Sequence, residues 1–112
     1  MKKCITPVEM QQLRNSIDDV VVMDVRTPEE YNEFHIPGSM NVPLALFKLE
    51  SFQPPTGVVV VTVCNGGGGR SELAADLVNL AGGSPAFYLD GGIRRWQREQ
   101  ELSDGLLHVQ HV

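Results

Sequence analysis

The sequence predicts an α/β protein: a three-layer α/β/α sandwich around a mainly parallel sheet of about five strands. Three observations carry this. Val20 to Asp24 and Val58 to Val63 are valine-rich and β-branched, the pattern of strands buried on both faces of a parallel sheet. Helix-start signals alternate with such runs, so that strand, helix and strand follow one another. The chain has 112 residues, 42% of them apolar. That suits one domain able to bury a core without disulfides.

Taken in order, Cys4 and Ile5 read as an edge strand. Thr6-Pro7-Val8-Glu9 then opens a helix from about Pro7 to Ser16, with Met10, Leu13 and Ile17 on its buried side. Thr27-Pro28-Glu29-Glu30 repeats the same start for a short helix from Pro28 to Phe34. In both, Thr caps the amide of the third-position Glu, Pro takes the first helical position, and the Glu carboxylate reaches back to the cap amide. Strands are expected at Val20–Asp24, Met40–Val42, Val58–Val63 and Ala86–Leu89, and a short helix around Leu44–Leu49. A longer helix from Ser71 to about Ala81 places Leu73, Ala74, Leu77, Val78 and Ala81 at helical spacing, and Gly82-Gly83 stops it. Asp90 can cap a last helix holding Ile93 and Trp96. The domain is expected over residues 1–102, with 103–112 as a C-terminal tail in which Leu106 and Leu107 pack back.

The formal net charge is −5 and the pI about 5.0. This argues against nucleic acid, whose phosphates call for excess Lys and Arg. Arg94, Arg95 and Arg98 lie beside Glu99 and Glu101 and read as a solvated helix face. The two cysteines, Cys4 and Cys64, are not a disulfide framework. No signal peptide or membrane span is visible. A reducing cytoplasm is expected, where free thiols persist.

Parallel α/β sheets build their sites at the carboxyl ends of strands, and Cys64 directly follows Val63. The segment Cys64-Asn65-Gly66-Gly67-Gly68-Gly69-Arg70-Ser71 joins that strand to a helix. Its glycines allow a tight turn whose amides converge as an anion nest. The helix start adds the positive end of its dipole, and Arg70 adds a planar cation for an oxyanion. A cysteine there favours its thiolate. A Walker loop requires Lys where Arg70 stands, and a dinucleotide fingerprint requires Gly where Ser71 stands. The bland alternative is a flexible turn beside an inert core cysteine.

Here the chain resembles a single rhodanese domain. Asp24-Val25-Arg26 followed by Thr27-Pro28-Glu29-Glu30-Tyr31 is similar to the family's Asp-Val-Arg stretch and the helix after it. His35-Ile36-Pro37-Gly38-Ser39-Met40-Asn41 is similar to its His-Ile-Pro-Gly-Ala-x-Asn signature, with Ser39 replacing Ala. Cys64 to Arg70 occupies the active-site loop, and Gly91-Gly92 with Trp96 resembles the closing Gly-Gly-x-x-x-Trp. The resemblance implies a rhodanese-like fold and a sulfurtransferase in which Cys64 is the nucleophile. Arg70, Asn65, Gly66, Gly67, Gly68, Gly69 and Ser71 would then form the substrate cradle. One departure stands out. Family sulfurtransferases usually resemble Cys-x4-Arg, whereas this chain has Cys-x5-Arg, the loop length of related cell-cycle phosphatases and some arsenate reductases. Those relatives usually carry His where Val63 stands, and no carboxylate lies between Cys64 and Arg70 to act as a general acid. Phosphatase or arsenate reductase chemistry, and a regulatory domain with a vestigial site, remain alternatives.

Asp24 and Arg26 could touch substrate, but a structural ion pair or hydrogen-bond network at the strand end near the site is the favoured reading. His35 invites a general-base role, but its place before Ile36-Pro37-Gly38 favours a turn-stabilising hydrogen bond. Trp96 reads as a core anchor. Cys4 is a remote candidate for resolving a Cys64 persulfide, and His108 with His111 makes a weak metal site. In the implied mechanism Cys64 takes sulfane sulfur from thiosulfate or a persulfide and passes it to a thiol or cyanide. No cofactor is required, a sulfur-carrier protein is a possible partner, and a monomer or weak homodimer is expected.

Overall fold

A computed structural model describes residues 3–17, 19–49 and 51–110, the side chains of 105–110 excepted. The elements run β1 (Cys4–Ile5), α1 (Pro7–Ser16), β2 (Val20–Asp24), α2 (Pro28–Glu33), β3 (Met40–Asn41), α3 (Leu44–Phe47), β4 (Val59–Val63), α4 (Arg70–Ala81), β5 (Ala86–Leu89) and α5 (Gly92–Gln110). All pairings in the five-stranded sheet are parallel, in the order β1-β5-β4-β2-β3.

The continuous valine runs are explained by helices on both faces of the sheet. Val60 and Cys64 face one core with Met23, Val25, Ala74, Ala75 and Val78. Val61 and Val63 face the other with Val22, Ile5, Met10, Ile36, Leu89 and Ile93. Alternation along the strand thus serves two cores rather than a core and solvent. Thr62, fully buried on the α4 side, donates Oγ1–H to the Ser71 carbonyl at 2.7 Å and so ties β4 to the first turn of α4.

Both capping boxes form. Thr6 Oγ1 accepts from Glu9 N at 3.1 Å while Glu9 accepts from Thr6 N at 2.9 Å. Thr27 and Glu30 make the same pair of bonds at 3.3 and 3.0 Å. Gly82 ends α4 in the left-handed conformation, φ 81°.

Four expectations need correction. Ile17 and Leu73 are 39% and 41% exposed; the core-facing stripe of α4 is Ser71, Ala74, Ala75 and Val78. Ala81 is also exposed, since α4 turns its last residue to solvent. Asp90 does not cap the last helix, which begins at Gly92 and gives its first amides, Ile93 N and Arg94 N, to the carbonyls of Cys64 and Asn65; the Asp90 carboxylate instead accepts from Arg95 Nη1. Apart from these four, the last helix runs on to Gln110, through residues 103–110 of the expected tail. The packing of Leu106 and Leu107 and a site at His108 and His111 lie outside the described residues.

Among the described residues no helix is long and apolar enough to cross a membrane, and no group of three His, Cys, Asp or Glu is arranged to hold a metal.

Candidate active site

Cys64 leaves the carboxyl end of β4, and the chain turns through four glycines into α4. The turn is fastened from outside by α5. Ile93 N donates to Cys64 O at 2.9 Å and Arg94 N donates to Asn65 O at 3.2 Å. The first amides of α5, which have no partner within their own helix, therefore hold the loop. This needs close backbone approach. A Cβ on Gly67 would sit 2.2 Å from Gly91 N, and one on Gly92 would sit 2.4 Å from Cys64 O. Gly67 also has φ 78°. Gly66 and Gly68 have open space around them and no positive φ.

The Cys64 side chain is 4% exposed. Its Sγ–H donates to Gly68 O at 3.0 Å, and Ser71 Oγ lies 3.1 Å from Sγ. The Ser71 hydroxyl has a second acceptor in Gly68 O at 3.2 Å. A hydroxyl rotates to suit its surroundings, so ionisation of Cys64 lets Ser71 turn its proton to the sulfur. Burial pushes the thiol pKa up. The Ser71 hydroxyl and the amides of Ser71, Gly68 and Gly67 outweigh it, and Cys64 sits below the ordinary thiol value. Cys64 is accordingly expected to alkylate with a pH midpoint below the usual thiol value of about 8.5 and faster than Cys4 at neutral pH. Iodoacetamide labelling of each cysteine, followed by peptide mass spectrometry across pH, checks this. Equal rates at the two sites would remove the cradle's electrostatic role.

The polar residues form one connected network. Asp24 and Arg26 are 1% and 5% exposed. Asp24 Oδ1 accepts from Arg26 N and Nε, both at 3.0 Å, and Oδ2 accepts from Nη2 at 2.7 Å. Arg26 Nη2 also donates to Phe34 O at 2.6 Å, and Nη1 donates to Asn65 Oδ1 at 3.2 Å. Every charge-bearing atom of this buried pair is thereby satisfied, as a buried pair must be, and its free end orients Asn65. Asn41 Nδ2 donates to the carbonyls of Asp24 and Arg26, both at 3.0 Å, fixing the backbone beneath. His35 Nδ1 lies 2.9 Å from Tyr31 O, and its ring stacks on Tyr31 with centroids 3.8 Å apart. It braces the turn. Tyr31 OH donates to Ser39 O at 2.6 Å, and the Ser39 hydroxyl donates to Ile36 O at 2.6 Å. Trp96 packs against the second core and Phe34.

Two placements differ from the simple cradle. Arg70 is engaged by Glu30: Nη1 donates to Oε1 at 2.8 Å and Nη2 to Oε2 at 3.2 Å. Glu30 Oε2 also accepts from Asn65 Nδ2 at 2.7 Å. The α2 cap residue is thus a hub of the site, which its sequence context hid by giving it a sufficient local role. Cys4 stands apart. It pairs with Tyr88, which pairs with Thr62, so two strand spacings and a two-residue offset put the Cys4 and Cys64 Cα atoms about 12 Å apart. A disulfide tolerates no more than about 7 Å, and both cysteines are free.

A buried thiol of lowered pKa at a strand end, in a glycine loop capped by an Arg, fits nucleophilic group transfer. The chain matches the rhodanese-like domain family over residues 6–99, and it belongs to that family. It is 34% identical over 84 residues to the thiosulfate sulfurtransferase GlpE of Pseudoalteromonas translucida, covering 71% of this chain and 75% of that one. It is 32% identical over 99 residues to the probable adenylyltransferase/sulfurtransferase MoeZ of Mycobacterium tuberculosis, covering 87% of this chain and 25% of MoeZ. The chain spans about half or less of several curated relatives it matches. Among solved structures it resembles RPA3614 of Rhodopseudomonas palustris, described as a possible tyrosine phosphatase, with TM-score 0.75 and 27% identity over 88% of this chain and 82% of that one. The fold and the sulfurtransferase family are those expected from the sequence.

Proposed function

We propose that this chain moves sulfane sulfur from a thiosulfate or persulfide donor to a thiol or cyanide acceptor through a persulfide on Cys64. The observation that carries this reading is the thiol at the end of β4, held below its ordinary pKa by Ser71 and three loop amides. The Cys64 thiolate attacks the donor's outer sulfur, and the electron pair of the broken S–S bond leaves with the donor. Cys64 then carries the extra sulfur until an acceptor thiolate or cyanide attacks it in turn. The amides of Gly67, Gly68 and Ser71 stabilise the negative sulfur throughout. Asn65, Arg70 and the remaining glycines, Gly66 and Gly69, shape the mouth. Relatives named adenylyltransferase/sulfurtransferase or sulfur carrier make a sulfur-carrier protein a reasonable acceptor. A reducing compartment such as the cytoplasm suits a working thiol.

The phosphatase or arsenate reductase reading draws on the seven-residue loop and on the likeness to RPA3614. Against it, phosphate ester hydrolysis needs a general acid. The carboxylate bonded to the loop is Glu30, which Arg70 holds far below the usual carboxylate range and so ionised at neutral pH. Intact-mass spectrometry after exposure to thiosulfate or glutathione persulfide tests the choice. The expected result is a one-sulfur gain on Cys64, removed by cyanide. Cys64-dependent turnover of an aryl phosphate, or of arsenate with a thiol reductant, with no sulfur gain from either donor, overturns the proposal.

A further inference from the structure

The mouth of the site is less cationic than its sequence suggests. Arg70 meets Glu30 as a fork on a carboxylate, through the two bonds already described, with the side chains only 36% and 29% exposed. Glu30 is not free to swing away. Oε1 also accepts from Thr27 N at 3.0 Å and Thr27 Oγ1 at 3.1 Å, and Oε2 accepts from Asn65. Releasing Arg70 to an incoming anion therefore breaks two charge-assisted bonds, while Glu30 stays fixed close by and repels that anion.

This matters differently for the two donor classes. Thiosulfate brings two negative charges to a thiolate, and sulfite leaves with two, so attack concentrates charge that a free cation must offset. A persulfide R–S–SH does not. The Cys64 thiolate forms a bond to the outer sulfur, the R–S bond to that sulfur breaks, and R–S⁻ leaves with the electron pair. The proton stays on the transferred sulfur. One thiolate enters and one leaves, so the loop amides and Ser71 suffice.

We propose that Glu30 selects the sulfur donor: by pairing with Arg70 it withholds the loop's cation from small oxyanions, and the site takes sulfur from persulfides in preference to thiosulfate. This rests on the sulfurtransferase reading above. Glu30 acts through Arg70 and is a positioning residue. Its ionisation across the neutral range, set first by Arg70, then by the Thr27 amide against the opposing effect of burial, keeps the pair intact at working pH.

The test is steady-state kinetics with glutathione persulfide and with thiosulfate. In the wild type, kcat/KM for the persulfide should exceed that for thiosulfate by about tenfold or more. Glu30→Gln keeps an acceptor for the Thr27 cap but removes the charge. It should lower the thiosulfate KM about tenfold, raise the thiosulfate-to-persulfide ratio of kcat/KM, and strengthen inhibition by sulfite. The double variant Glu30→Gln/Arg70→Ala should lose that gain, because the released cation is its cause. Glu30→Asp, too short to hold the fork, should shift KM in the same direction and serves if the Gln variant melts early. A thiosulfate KM that is unchanged or raised in both Glu30 variants overturns the proposal, as does a wild type preferring thiosulfate. Failure of both donors to load Cys64 in the wild type would instead sink the sulfurtransferase reading.

Discussion

Cys64→Ser is expected to abolish sulfur transfer from every donor, down to the rate without protein, and to leave the fold intact. The side chain is almost fully buried, and its contacts are to Gly68 O and Ser71 Oγ. A serine hydroxyl can donate to either, so no buried polar atom is left without a partner. Stability should stay within about 1 kcal/mol of the wild type. Chemistry is lost for two reasons. The amides and hydroxyl that bring a thiol below its ordinary value cannot ionise an alcohol near neutral pH. An oxygen nucleophile also forms no persulfide to pass on. The check is acceptor-persulfide formation alongside a thermal melt, with Cys4→Ser in parallel. Cys4→Ser should transfer sulfur at close to the wild-type rate, because Cys4 lies two strands from the loop. Residual transfer by Cys64→Ser that disappears only when Cys4 is also replaced would move the chemistry to the edge strand.

How far the sequence could be read depended on the range of the interaction. The two capping boxes span three residues each, and both helices begin at the predicted proline. β4 is legible because every residue from Val58 to Val63 is β-branched and Thr62 is its one polar member, and Cys64 at its end follows from the general geometry of parallel sheets. The Asp24–Arg26 pair was within reach because its members are two residues apart. Glu30 shows where such reading stops. Its bonds to Asn65 and Arg70 cross 35 and 40 residues, and its capping role already accounted for its presence. The start of α5 is similar. Asp90 looked like a cap, but the helix's free amides go to carbonyls of the Cys64 loop, an arrangement that depends on β4 and β5 being neighbours in the sheet. Leu73 falls off the buried face because a helical stripe fixes a face only to within about one residue in 3.6, and Ile17 because α1 ends at Ser16 and Ile17 is its C-cap in extended conformation, outside the helical stripe.

That long-range seam between loop and α5 also sets the most demanding position in the site. Gly67→Ala is expected to destabilise the protein by about 3 kcal/mol, lowering Tm by roughly 10 °C. Two costs combine. A side chain at φ 78° enters the left-handed region, unfavourable by about 1–2 kcal/mol for a residue with a Cβ. The new Cβ would also stand 2.2 Å from Gly91 N and 2.7 Å from Gly92 N. These are backbone atoms at the start of a helix, not the end of a flexible side chain, and cannot step aside alone. Moving them strains the bonds from Ile93 N to Cys64 O and from Arg94 N to Asn65 O, so the loop shifts as a unit and the amides lose their aim at Sγ. Sulfur transfer should therefore fall more steeply than stability alone requires, and the alkylation midpoint of Cys64 should rise toward that of an ordinary thiol. Gly66→Ala is the matched control. It has the same chemistry one residue earlier, with open space and no positive φ, and should be neutral or stabilising by a few tenths of a kcal/mol through the unfolded chain's lost freedom. Melts and alkylation profiles of the two variants side by side decide the matter. If Gly67→Ala behaves like Gly66→Ala in both, the loop is not clamped against Gly91 and Gly92, and the tuning of Cys64 must come from elsewhere.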